Sequence, residues 1–172
     1  MAGILINPGG AADRESIKLA TSKNTTIPNW RRKERAPEAL REAMRIVLEN
    51  HPGRSLRSLT ATYNCIGMIF ANRRTCIEPE HVPMILSDDR YVEVRAPADV
   101  KPGDLVIYHE PSTADVSHVA LVVSNTAKLE NGSSLIIVLS QWGSHGEYFH
   151  DYRDVPEALG RPDQFYSERR RI

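Results

Sequence analysis

The residues of this chain with the clearest chemical potential are its two cysteines, Cys65 and Cys76, in the stretch TYNCIGMIFANRRTCI (62–77). Cys65 follows Asn64, a common helix-capping residue, and is therefore expected at the first position of a helix. The unpaired N–H groups and the dipole at a helix start favour a thiolate and also stabilise an oxyanion. Gly67 permits close approach of a substrate or a neighbouring strand. A lone helical cysteine is more often a buried apolar residue, so a nucleophilic Cys65 requires a nearby base.

His118 is the best candidate for that base. It opens the apolar run HVALVV directly after the polar segment STADVS (112–117), so it is expected at the end of a strand that borders a cleft. A cysteine paired with a histidine is a common arrangement for nucleophilic catalysis. The remaining histidines have no ligand spacing to a second soft donor, and the sequence predicts no metal site and no organic cofactor.

In Cys–His sites a third polar residue commonly orients the imidazole, and strand pairing indicates which residue lies opposite His118. Antiparallel pairing of the apolar runs 119–123 and 135–139 places Ser140 opposite His118. The alternative register uses Asn131-Gly132 as a two-residue turn and places His145 there instead. The first register keeps apolar residues opposite apolar residues and is preferred. A β-bulge would transfer the orienting role to Gln141, so Ser140 and Gln141 are both candidates.

Two helices are predicted in the first half of the chain. Pro37 suits a first helical turn, and apolar residues then recur at three- and four-residue spacing until His51-Pro52-Gly53 ends the pattern. The second helix is predicted from Cys65 to about Arg74. If Cys76 continued it, the two cysteines would lie about 16 Å apart along the axis, which predicts two separate thiols.

Short strand patterns dominate from residue 89 onward: YVEV (91–94), DLVIY (104–108), HVALVV (118–123), LIIVL (135–139), EYFHDY (147–152) and QFY (164–166). Because strands follow helices rather than alternate with them, the sequence predicts an α+β fold with N-terminal helices packed on an antiparallel sheet. Residues 1–35 are polar and irregular. We therefore divide the chain into an N-terminal extension (1–35) and a single domain (36–172).

Three motifs together carry a family resemblance: YNCIGMIF (63–70), KPGDLVIY (101–108) and SHVALVVS (117–124). Their order and spacing resemble the NlpC-type branch of the papain-like cysteine peptidases over roughly residues 60–142. The resemblance implies a papain-like fold, with Cys65 as nucleophile, His118 as base and Asp104 as a structural turn residue. Asn64 and Ile66 depart from it, since the family usually has aspartate and serine there.

Composition excludes several classes of protein. The chain has 22 basic and 22 acidic residues, so no global field favours nucleic acid. The clusters Arg31-Arg32-Lys33 and Arg169-Arg170-Arg171 are typical of solvated surfaces. No segment approaches the roughly 18 apolar residues of a membrane span. The N-terminal MAGILINPGG lacks the pattern of a secretory signal, and we expect a cytoplasmic protein.

The sequence thus predicts a thiol-dependent hydrolase, of the peptidase or amidase type, that cleaves an amide or acyl bond through a Cys65–His118 dyad and a thioester. Its expected partner is a peptide-like or acyl substrate. Two alternatives remain open. One is a catalytically inactive binding module with the same fold, and the other is an acyltransferase that uses the same dyad.

Overall fold

The computed structural model describes residues 16–126 and 135–168. Within these ranges the helices are α1 (Pro37–Asn50), α2 (Cys65–Phe70) and α3 (Val82–Asp88). The strands are β1 (Ser55–Ser58), β2 (Val92–Glu93), β3 (Leu105–His109), β4 (Val116–Thr126), β5 (Leu135–Gln141), β6 (Glu147–Asp151) and β7 (Arg161–Ser167). The Asn131-Gly132 turn, the Arg169–Arg171 cluster and residues 1–15 of the predicted extension lie outside the described residues.

All the strands belong to one sheet, whose order is β1-β6-β5-β4-β3-β7-β2. Every neighbouring pair is antiparallel. Helices and an antiparallel sheet therefore form a mixed fold, which is compatible with the predicted α+β class. Strand β1 was not predicted. It precedes α2 in the chain and pairs with β6 at one edge of the sheet.

The sheet is covered on both faces, because successive residues of a strand point to opposite sides. We call the side that packs against α2 and α3 the front face; it carries Leu105, Ile107, Val119, Leu121 and Leu139. The back face carries Val106, Tyr108, Ala120, Val122 and Val138. Helix α1 packs on the back face through Val47, which contacts Trp142 and Tyr148. The chain thus forms two cores separated by one sheet.

The helices follow from local sequence to different degrees. Helix α1 begins at Pro37 and ends at Asn50, as its periodicity predicts. Helix α2 begins at Cys65 as predicted but ends at Phe70, because Asn72 and Arg73 adopt left-handed conformations with φ of 47° and 65°. Helix α3 was not predicted. No helix within the described residues is long and apolar enough to cross a membrane.

Candidate functional site

Cys65 lies at the first position of α2, where backbone donors surround its sulfur. Asn64 caps the helix by accepting a hydrogen bond from the Gly67 N–H at 2.9 Å. Burial raises the pKa of the Cys65 thiol to about 11, against the lowering effect of hydrogen bonds from the backbone N–H groups of Val119, Ile66 and Cys65 itself. In this closed arrangement the thiol is protonated at neutral pH.

The Cys65 sulfur lies at the end of the β4–β5 ladder, where the two strands are no longer paired. Pairing between these strands begins with Leu121 and Leu139, although β4 already starts at Val116 and β5 continues to Gln141. Val119 precedes the first pair, and its N–H is directed at the thiol instead of at a neighbouring strand. The open end of the ladder therefore supplies one of the donors to Cys65.

A returning segment holds the start of α2 in place. The Asn64 side chain accepts from the Ile77 N–H at 3.1 Å and donates to the Ile77 carbonyl at 2.7 Å. A carboxylate could not make the second bond, which gives a physical reason for asparagine where the resembled family has aspartate. Residues 75–77 thus run back beside α2.

This path corrects the prediction for the second thiol. Cys76 does not continue the helix of Cys65; it lies near the start of α2, and its Sγ is 3.9 Å from the Thr62 carbonyl. Both cysteines are buried and free. Burial also raises the pKa of Cys76 to about 11, so both thiols are protonated at neutral pH.

The predicted N-terminal extension packs beside the chain that leads into Cys65. The Arg32 N–H donates to the Thr62 carbonyl at 3.3 Å, and Glu34 accepts from the Ala61 N–H at 2.8 Å. Residues 32–34 therefore lie beside residues 60–62, the segment that leads into α2.

The structure places His118 on the back face, away from the packing surface of Cys65. Its ring contacts the ring of Tyr108, its partner on β3, at a centroid distance of 5.1 Å. The side chain is fully buried, and neither imidazole nitrogen has a hydrogen-bond partner among the described residues. Burial, followed by the charge of His150, lowers the pKa of His118 to about 3. Cys65 and His118 are therefore not hydrogen-bonded in this arrangement.

Ser140 does not orient His118. The observed register pairs Leu121 with Leu139, whereas the two predicted registers pair Leu121 with Ile137 or with Trp142. Ser140 Oγ lies 2.8 Å from His150 Nε2 and accepts from the Trp142 indole N–H at 3.0 Å. The predicted placement of Ser140 opposite His118 is wrong, and His150, which we had assigned no role, is its actual partner.

Gln141 lies on the front face, on the same side of the sheet as Cys65. Its amide nitrogen donates to the carbonyls of Thr60 at 2.8 Å and Gly143 at 2.9 Å. Its amide oxygen is buried and has no hydrogen-bond partner among the described residues. The candidate residues therefore divide between the two faces of the sheet, with Cys65 and Gln141 on one and His118 and Ser140 on the other.

A polar cluster beside Gln141 was missed in the sequence. Glu147 is fully buried at the start of β6 and accepts hydrogen bonds from the Tyr63 hydroxyl, Arg73 and Arg57. Burial and the bond to Glu147 raise the pKa of Tyr63 to about 12. The alternation in EYFHD predicts that Glu147 and Phe149 lie on the same face of their strand. Only the observed pairing of β6 with β5 shows that this is the front face of the sheet, where Glu147 is buried.

Two further findings bear on function. Among the described residues, no group of three or more histidine, cysteine, aspartate or glutamate side chains is placed to hold a metal ion. Comparison of the chain with protein-family models, curated proteins and solved structures gave no match. The function is therefore argued from the geometry around Cys65 and from the resemblance in the sequence motifs.

Proposed function

We propose that the protein is a thiol-dependent hydrolase with a papain-like, NlpC-type fold, in which Cys65 is the nucleophile and His118 the general base. The observation that carries the proposal is the place of Cys65 at the capped start of α2, packed against Val119 of β4, where the N–H groups of Val119, Ile66 and Cys65 itself favour the thiolate. Donors at this position stabilise negative charge on a thiolate, and two of them belong to the helix start that would face an oxyanion.

In the proposed reaction the Cys65 sulfur forms a bond to the carbonyl carbon of an amide or ester, and the thiol proton passes to His118. His118 then gives the proton to the departing amine or alcohol, which leaves a thioester on Cys65. Water attacks the thioester with His118 as base, releasing a carboxylic acid and restoring the thiol. These steps are complete without a metal ion or an organic cofactor.

The reaction requires the His118 imidazole to reach the sulfur. Three features support this movement. His118 directly precedes Val119, whose N–H contacts the sulfur. Both of its ring nitrogens lack partners among the described residues, so no hydrogen bond there holds the ring on the back face. The first β4–β5 pair is at Leu121, so His118 is paired with β3 through Tyr108 but has no strand partner on the β5 side. Burial lowers the pKa of His118 to about 3, so the ring is neutral on the back face, and leaving that buried site restores its strength as a base.

A non-catalytic binding module with the same fold is the second candidate, and one observation favours it. The thiol, whose pKa burial raises to about 11, and the neutral His118 do not contact each other in the closed arrangement. Proton transfer between such groups is unfavourable. A protein that holds a peptide-like ligand without cleaving it has no need to bring them together.

Covalent labelling separates the two candidates. The folded protein is incubated with peptide-like acyl electrophiles and followed by intact-mass spectrometry and peptide mapping. We expect one adduct on Cys65 that is absent in Cys65→Ala and forms at least tenfold more slowly in His118→Ala. His145→Ala is the matched control, since His145 contacts the Trp142 carbonyl and is expected to leave the rate near that of the unmodified chain. An unreactive Cys65, or equal slowing in both histidine variants, contradicts the hydrolase and favours the binding module.

A further inference from the structure

The front face carries two arginines that the proposed reaction does not use. Arg57 of β1 and Arg73, which follows α2, both bind the carboxylate of Glu147. Arg73 Nε donates at 2.6 Å, Arg57 Nη1 donates at 2.8 Å, and the Tyr63 hydroxyl donates at 2.7 Å. Three side chains from different parts of the chain therefore converge on one buried carboxylate.

The charges in this cluster do not balance. Two guanidinium groups face one carboxylate, which leaves an excess of one positive charge. Glu147 is fully buried, whereas the side chains of Arg57 and Arg73 are 42% and 29% exposed. Glu147 engages Nη1 of Arg57 together with Nε and Nη2 of Arg73, and the other guanidinium N–H groups have no partner among the described residues. Guanidinium groups with spare donors bind carboxylates in a bidentate manner.

The backbone fixes Arg73 in an uncommon conformation. Asn72 and Arg73 have φ values of 47° and 65°, in the left-handed region that residues other than glycine rarely occupy. The Arg73 N–H donates to the Gly67 carbonyl at 3.0 Å, which ties this turn to α2. Strained residues of this kind are concentrated at functional sites. Arg73 is therefore held in place by the chain and by Glu147 before any ligand arrives.

The strand pairing positions Glu147, which holds the two guanidinium groups, relative to Val119 beside the thiol. Gln141 pairs with Glu147, and Leu121 pairs with Leu139. Continuing the second pairing by two residues brings Val119, whose N–H contacts the sulfur, level with Gln141. Adjacent strands are separated by about 4.8 Å, so Glu147 on β6, with the two guanidinium groups bound to it, lies two strands, or roughly 10 Å, from Val119 of β4 on the same face.

We propose that Arg57 and Arg73 form a carboxylate-binding subsite. The substrate of the proposed hydrolase is then an acyl or peptide-like compound that carries a carboxylate roughly 10 Å, or about three extended residues, from the carbonyl that Cys65 attacks. The position of the scissile bond rests on the proposed function. The binding of a carboxylate by the two arginines does not.

Matched reagents test the subsite. Two bromoacetyl tripeptides differ only in whether the chain ends in a carboxylate or a carboxamide, and labelling of Cys65 is followed by mass spectrometry. We expect the carboxylate peptide to react at least tenfold faster, and about 0.5 M NaCl to remove most of that preference by screening. Arg57→Gln is expected to reduce the preference below about threefold, and it is the chosen variant because Glu147 keeps its bonds to Arg73 and Tyr63. Arg41→Gln, on the exposed surface of α1, is the control that retains the preference.

A second measurement separates this inference from the proposed function. Unreactive acetyl versions of the two peptides are titrated by calorimetry into Cys65→Ser, with and without Arg57→Gln. Tighter binding of the carboxylate peptide that depends on Arg57 supports the subsite, even where the bromoacetyl peptides fail to label Cys65 and the hydrolase is contradicted. Equal affinity for the two acetyl peptides, or a preference that survives Arg57→Gln, overturns the subsite whatever the reactivity of Cys65.

Discussion

Ser140 is the central member of a buried chain of hydrogen bonds on the back face. The Trp142 indole N–H donates to Ser140 Oγ, Ser140 donates to His150 Nε2, and His150 Nδ1–H donates to the Asp151 carbonyl at 2.8 Å. The carbonyl can only accept, so it fixes the tautomer of His150 with its proton on Nδ1. Ser140 therefore has a structural role that depends on both of its neighbours.

We predict that Ser140→Ala lowers the free energy of unfolding by about 1–2 kcal/mol, because two buried nitrogens lose their partner. The loss is limited, since the Trp142 nitrogen already lies 3.4 Å from His150 Nε2 and can donate to it directly. Urea unfolding monitored by tryptophan fluorescence measures the change. Ser112→Ala, in an exposed turn, is the control and is expected to change little. Equal midpoints for both variants would show that the chain of hydrogen bonds contributes nothing.

At the same scale, the sequence identified individual residues better than their partners. Cys65 was correctly placed at a helix start because the capping residue Asn64 is its immediate neighbour. The partner of Ser140 depends instead on strand register, which shifts at an irregularity between Val122 and Ser124. Matching one apolar run with another does not reveal such a shift. The preferred predicted register, with Leu121 opposite Ile137, and the observed register, with Leu121 opposite Leu139, both pair apolar residues with each other.

Among the elements, α2 depends most on contacts that its own sequence does not contain. No glycine or proline marks its end at Phe70, and the pattern of residues 65–74 favours a longer helix. The return of the chain is set by Arg73, which binds Glu147 on β6, and by Asn64, which binds Ile77. The length of α2 could therefore not be predicted from its own sequence. Helix α1 has Pro37 at its start and a regular apolar stripe, and its predicted ends agree with the observed ones.

Gly67 provides a direct test of this packing. A Cβ at Gly67 would lie 1.7 Å from the Thr75 carbonyl oxygen, which is a backbone atom of the returning segment. Alanine normally stabilises a helix relative to glycine by about 1 kcal/mol. Here we predict the opposite, a loss of about 3 kcal/mol for Gly67→Ala, because the backbone must shift to remove the overlap.

Chemical denaturation of Gly67→Ala beside Gly53→Ala checks this prediction. Gly53 has a φ of 92° and no atom within 4 Å of an added Cβ, so its substitution reports backbone strain without a clash. The Gly67 variant is expected to be the less stable of the two. A Gly67→Ala protein as stable as the unmodified chain would mean that residues 75–77 do not pack against α2 in solution.

On the scale of the whole molecule, one sheet separates a front core that contains the thiol from a back core that contains two buried imidazoles. Burial lowers the pKa of His118 to about 3 and that of His150 to about 4. The histidines of the back core come from strands β4 and β6, and Tyr108 of β3 and Ser140 of β5 pack between or beside them. Protonation of either ring is therefore incompatible with the packing of several strands at once.

This arrangement predicts that stability falls with mild acid. Both histidines have folded pKa values below the ordinary value of 6.5, so the unfolded chain binds protons that the folded chain excludes as the pH drops through 6.5. Their stabilising contribution is complete above about pH 7 and is lost progressively towards pH 4. At pH 5 we expect a loss in the free energy of unfolding of about 2 kcal/mol for each histidine relative to pH 7.5.

A carboxylate contributes in a different pH range. The hydrogen bonds of Thr25 and Thr21 lower the pKa of Asp88 below 3.8, so this carboxylate affects stability only at more acidic pH.

Urea unfolding at pH 7.5 and pH 5 measures this loss, which should total about 4 kcal/mol for the two histidines. His150→Gln is expected to remove about half of the pH dependence, even if it lowers stability at both pH values, because the dependence is a difference within one variant. His81→Gln, outside the sheet in the turn that precedes α3, should leave the pH dependence intact. A free energy of unfolding that stays constant between the two pH values would mean that His118 and His150 reach solvent, and that the back core is more open than its packing indicates.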